Sequence, residues 1–199
     1  MLPRPTPTFL GYTLKRVAPV IDSLAGTPVI EICSVSNCIS KRPEPPERWK
    51  RWLFNDSGWY NTPALAAADA EPGNSFSAFA YELFPLEFEG DAIRPTTAAA
   101  LLNTDRSRLP ASPELAYQFI GFDAVSVRRA IPATANTAPM MAGFDHSPLS
   151  CNAQAPHHPV NQCCLLDDWN CAVAAATTFA REEPEPGPYY ILGVYRRIN

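Results

Sequence analysis

The chain has 199 residues, 46% hydrophobic and 11% aromatic, which is enough apolar side chain for a packed core and excludes a disordered composition. A formal net charge of −4 gives no global attraction to nucleic acid or to an anionic membrane. No stretch reaches the roughly 20 apolar residues of a membrane span, and the first residues lack the apolar run of a secretory signal, so a cytoplasmic location is expected.

Leu10, Tyr12 and Leu14 alternate with Gly11, Thr13 and Lys15, which predicts a half-buried strand over 8–16. The β-rich run 28–35 predicts a second strand ending at the turn Ser36, Asn37, Cys38. Thr62 before Pro63 is an N-cap signal, Ala64 to Ala70 propagate a short helix, and Glu71, Pro72 and Gly73 stop it. A long strand rich in Phe and Tyr follows over 76–88. Residues 96–102 suit a connecting helix. Beyond it come a strand near 117–127, an extended segment near 140–150, a helix from the Asp168 cap to Arg181, and a strand over 189–197. The apolar stripe of that helix is Ala172, Ala176 and Phe179 or Ala180, with Arg181 at the negative end of its dipole.

The two halves echo each other. Phe9 to Arg16 matches Phe119 to Ser126, Val35 to Cys38 matches Leu149 to Asn152, and Asn55 to Thr62 matches Asn161 to Asp168. An Ala-rich run then follows in both, and Glu71-Pro-Gly73 matches Glu185-Pro-Gly187, with Tyr81 opposite Tyr195. Colinear order across all of these is harder to obtain by chance than any one match. The expected fold is therefore α+β: two diverged copies of a strand-strand-helix-strand unit about a pseudo-twofold axis, a mostly antiparallel sheet with helices packed on it. The first copy spans 1–95, a connector 96–116, and the second copy 117–199.

The segments Asp145 to Asn152, Val160 to Asp168 and Arg181 to Tyr190 resemble a bacterial family of uncharacterised proteins, mainly over the C-terminal half. The resemblance implies a bacterial, cytosolic origin and brings no activity, cofactor or catalytic residue.

The densest cluster of reactive side-chain types is Ser147, Ser150, Cys151 and Asn152, with His146 before it and His157 and His158 after. Nucleophilic catalysis would use Cys151 as thiolate, a nearby His as base, and Asn152 to hold an oxyanion. Against that, the matching turn in the first copy also holds Asn and Cys, so the pair reads equally as shared turn chemistry. Zinc could draw on His146, Cys151, His157, His158, Cys163 and Cys164, but the adjacent pairs lack the short two-pair spacing of structural sites. All six cysteines, Cys33 and Cys38 included, are expected as buried thiols, with no metal, cofactor or disulfide.

Between Lys41 and Phe54, Trp49 and Trp52 are flanked by Arg48, Lys50 and Arg51. At helical spacing the indoles share a face, a composition typical of protein contacts and usable for stacking on bases. Membership of the core is the plainer alternative. The sequence thus leads to a non-enzymatic cytosolic binding or protein-interaction module of the immunity, antitoxin or regulatory type, with nucleic acid and membrane disfavoured as partners. A small-molecule ligand between the two copies stays open. The alternative is a small cysteine-dependent hydrolase or transferase built on Cys151 and a nearby His.

Overall fold

A computed structural model describes residues 1–35, 59–68, 76–97, 110–128 and 143–198. Its main element is a six-stranded sheet in which every strand pair is antiparallel. Strands β1 (Thr8–Arg16), β4 (Phe76–Glu89), β8 (Tyr189–Arg197), β6 (Tyr117–Arg128) and β7 (Gly143–His146) lie side by side in that order. Strand β5 (Ala92–Pro95) folds back on the end of β4 through the turn at Gly90. A two-residue ladder joins β2 (Ala18–Pro19) to β3 (Glu31–Ile32) outside the main sheet.

The central strands β4 and β8 are buried on both faces. On one face Phe79, Tyr81 and Leu83 of β4 join Tyr190, Leu192 and Val194 of β8, Val125 and Val127 of β6, and Cys33, Val35, Trp59, Cys163 and Leu165 from the loops. Phe84, Phe88, Tyr189 and Ile191 belong instead to the cluster that receives helix α3 (Trp169–Glu182). That helix buries Ala172, Ala175, Ala176, Phe179 and Ala180, as its stripe predicts. Four alanines keep its backbone close to the sheet, and Phe179 fills the gap between His158 and Tyr189. Asp168 caps it by accepting from the Cys171 N–H at 2.9 Å. The shorter helix α1 (Pro63–Ala68) is capped in the same way, Thr62 Oγ1 accepting from the Leu65 N–H at 3.3 Å. At the far end of α3, Arg181 pairs with Asp91 at 2.7 Å.

Two strands break register in the same way. The β1 ladder shifts between Phe9 and Gly11, and the β6 ladder between Phe119 and Gly121, with both glycines at positive φ. Immediately after each glycine an aromatic residue makes an outer bridge, Tyr12 to Tyr60 and Phe122 to Leu166. At Gly121 a Cβ would stand 2.7 Å from the Cβ of Leu165 and 3.0 Å from the Leu166 carbonyl oxygen, so the bulge and the outer strand both require glycine.

Three expectations need correction. The run 28–35 is extended, but only Glu31–Ile32 forms a strand. Residues 140–150 are not a continuous extended segment: after β7 the chain turns into the short helix α2 (Pro148–Cys151). Pro148 at its first position explains the change, since proline presets the helical φ there. Thr96 and Thr97 are not helical, and the rest of the expected connecting helix lies outside the described residues. No helix among the described residues is long and apolar enough to cross a membrane.

Candidate functional site

The Ser147–Asn152 segment closes over one end of the sheet, and its hydrogen bonds run inward. Asp123 stands on β6, fully buried. Its two carboxylate oxygens are taken separately: Ser147 Oγ donates to Oδ1 at 2.5 Å and the Val35 N–H donates to Oδ2 at 2.8 Å. Ser147 precedes α2 but makes no side-chain cap, because its hydroxyl is committed to Asp123. One turn on, Ser150 Oγ donates to Ser34 Oγ at 2.9 Å. Lys15, only 1% exposed on β1, donates its ammonium to the Ser34 carbonyl at 3.2 Å and also to the Val35 carbonyl. One acid, one ammonium and three hydroxyls thus tie β1, β6, the 34–35 segment and α2 together.

Burial dominates the electrostatics. Withdrawal from water pushes the Asp123 carboxyl up to about 6, opposed by the Ser147 hydrogen bond, the Val35 N–H and the charge of Lys15. Cys164, at positive φ and fully buried, is pushed up to about 12, first by burial and then by the charge of Asp123. Burial, then the charge of His157, lowers His158, whose ring meets Phe179 edge-on at 5.1 Å.

Of the candidate catalytic residues, His146 ends β7, Cys151 ends α2 and Asn152 follows it. Cys151 is disulfide-bonded, against the expectation of free thiols throughout; among the described cysteines, 33, 163, 164 and 171 are free. A disulfide sulfur is not a thiolate, so Cys151 in this state is no nucleophile. The Asn152 amide donates to Glu185 Oε1 at 3.0 Å and to the Pro184 carbonyl at 3.3 Å. Its Oδ1 is buried with no hydrogen-bond partner among the described residues. His146 ends β7, opposite Ser126 in the ladder. Arg48, Trp49, Arg51 and Trp52 lie outside the described residues.

Sequence reasoning singled out Ser147 and Ser150 but missed Asp123, Lys15 and Ser34. The available signal was a charged residue inside an otherwise apolar strand, at Asp123 between Phe122 and Ala124. Two surface depressions are each lined from both sides of the connector. One has Pro63 and Ala64 opposite Tyr117 and Arg197, and the other has Phe88 and Gly90 opposite Ala180 and Tyr189.

Compared with known proteins, the chain matches no family model, no curated protein and no solved structure.

Proposed function

We propose that the chain is a non-enzymatic binding module whose partner is another protein, of the immunity, antitoxin or regulatory kind. One observation carries the reading: the reactive side-chain types are consumed in structural bonds. Asp123, Lys15, Ser34, Ser147 and Ser150 are each at most 2% exposed and bond to one another or to backbone, while Cys151 is disulfide-bonded. A catalytic constellation needs a reacting atom within reach of its nucleophile and base, and this one is closed to substrate. The contact segment is the one built on Trp49 and Trp52 with Arg48 and Arg51, proposed from its composition alone. A small-molecule ligand at either depression between the halves is compatible with the same reading.

The two halves are, in this proposal, diverged copies of one unit about a pseudo-twofold axis between β4 and β8. Support comes from the paired glycine bulges, the paired outer bridges and the Thr62 and Asp168 caps. A bacterial, cytoplasmic home belongs to the same reading, with the Cys151 disulfide standing against it, since cytosolic disulfides are rare.

Two measurements test the module. In urea melts, the double variant W49A/W52A keeps the wild-type midpoint if the indoles are an exposed anchor; a loss of several kcal/mol, typical of truncating buried Trp, returns them to the core. After reduction, Cys151 reacts with iodoacetamide no faster than an ordinary thiol. Fast labelling at neutral pH, or hydrolysis of a small ester that C151S abolishes, would establish the cysteine-dependent enzyme instead.

A further inference from the structure

Among the described residues one group of potential metal ligands converges, and it is not the His and Cys cluster of the sequence. It consists of Glu31, Cys33 and Cys163, whose ligand atoms all lie within 4.8 Å of one another. Cys163 Sγ is 3.7 Å from Glu31 Oε1. A tetrahedral centre with metal–sulfur bonds of ~2.3 Å and metal–oxygen bonds of ~2.0 Å has ligand-to-ligand edges of about 3.5–3.8 Å. The Cys163–Glu31 separation matches such an edge, and the other two pairs lie within 4.8 Å.

We propose that Glu31, Cys33 and Cys163 bind a thiophilic divalent cation of the zinc class, leaving a fourth position for water or an incoming ligand. The two contributing segments are braced against each other before any ion arrives. The N–H groups of Ile30 and Glu31 both donate to the Gln162 carbonyl, at 2.8 and 3.1 Å, and the Cys33 N–H donates to the Cys163 carbonyl at 3.1 Å. Asn161 fixes the other side: its Oδ1 accepts from the N–H groups of Cys163 and Leu165, and its amide donates to Ile120 O and Asp167.

The surroundings suit the ion. Both cysteines are buried, at 1% and 7% exposure, whereas the Glu31 side chain is 30% exposed and provides the way in. Arg196 holds the carboxylate through a 2.5 Å ion pair, the kind of outer partner that orients carboxylate ligands. Two thiolates, one carboxylate, a divalent cation and the guanidinium balance to no net charge, which makes the partly buried position tenable. Soft thiolates favour zinc over magnesium or calcium, which prefer oxygen.

The test uses the full chain, reduced, stripped with chelator and titrated with Zn²⁺ against a chromophoric competitor, then with Co²⁺ to read thiolate-to-metal charge transfer. One ion per chain is expected, with the charge-transfer band lost in C33S and C163S and retained in C171S. Glu31→Gln, a partly exposed change that leaves both thiols in place, should weaken Zn²⁺ binding by at least about tenfold. It should also remove the rise in Tm that Zn²⁺ gives the wild type. The proposal fails if the wild type binds no stoichiometric ion, if E31Q and C163S bind as the wild type does, or if a Cys33–Cys163 disulfide persists in excess reductant. Should C33S not fold, E31Q and C163S still decide.

Discussion

Asp123 and Ser147, on a central-sheet strand and at the mouth of a four-residue helix, share a 2.5 Å hydrogen bond with no water-facing side. The carboxyl of Asp123 sits near 6 when folded against an ordinary value of 3.8. The folded state therefore holds this proton more tightly than the unfolded chain. This residue's share of stability is greatest below about pH 4, falls as pH rises through about 6, and then levels off at a cost on the order of 2–3 kcal/mol. Asp123→Asn keeps the shape and removes the titration; its amide can face a rotated Ser147 hydroxyl while its oxygen accepts from Val35. The difference in urea midpoint between wild type and D123N should change between pH 4 and pH 6 and be flat above pH 7. Parallel curves would show that burial does not hold the proton.

Gly121→Ala tests the bulge. The added Cβ would enter the space of Leu165 and Leu166 at a φ of +144°, so strain and overpacking combine to a loss of roughly 2–5 kcal/mol. Gly26, at φ +86° with nothing within 4 Å of a Cβ, supplies the control. Gly26→Ala should cost only about 1–2 kcal/mol of backbone preference. Equal losses at the two sites would mean that the outer strand yields freely.

Asp168 both caps α3 and holds the thiol proton of Cys171, whose Sγ donates to it at 2.9 Å and whose pKa is pushed up to about 11. The carboxylate, more than burial, produces that shift. Asp168→Asn should preserve the cap and so the melting point, yet speed the labelling of Cys171 by iodoacetamide at pH 8 by up to about tenfold, the gain in thiolate fraction being partly offset by the weaker nucleophilicity of a less basic thiolate. Asp168→Ala should speed labelling as well, but with a stability loss of about 1 kcal/mol. Unchanged labelling in both variants would remove the carboxylate from control of this thiol.

Thiol counting on protein taken from unbroken cells into alkylating denaturant addresses compartment. A disulfide at Cys151 in that sample, as in the structure, would speak for an oxidising environment and against the proposed cytoplasmic home. The cytoplasmic reading expects Cys151 fully alkylated.

The long elements were legible because one local rule governs each. Alternation gave β1, Phe and Tyr richness gave β4, the echo of the first half gave β6 and β8, and Thr62 and Asp168 gave helix starts through the oxygen each offers to an N–H three residues on. Strand pairing beyond Glu31 and Ile32 was over-read because the N–H groups of Ile30 and Cys33 go to the loop carbonyls of Gln162 and Cys163, a partner that β-propensity cannot specify. Lys15 and Asp123 escaped notice for a related reason. A polar residue in an alternating strand reads as solvent-facing, and nothing nearby in sequence announces that the Ser34 and Ser147 segments will cover that face. The expectation of thiols throughout rested on compartment rather than geometry, and Cys151 departs from it.

The β4–β8 ladder, Phe79 to Phe88 against Arg196 to Tyr189, has a kinetic consequence. Its partners lie about a hundred residues apart, so β4 is made well before the strand it pairs with at the middle of the finished sheet. At ordinary synthesis rates β4 waits roughly 5–20 s for β8, with the backbone groups of an inner strand open along one edge. Contacts of such high sequence separation slow folding, and an unpaired apolar edge is the usual seed of aggregation. The nascent chain is therefore most vulnerable in the interval before β8 emerges. Truncation anywhere before Tyr189 should yield insoluble protein, whereas the separated halves, expressed together, have in this ladder a reason to find each other.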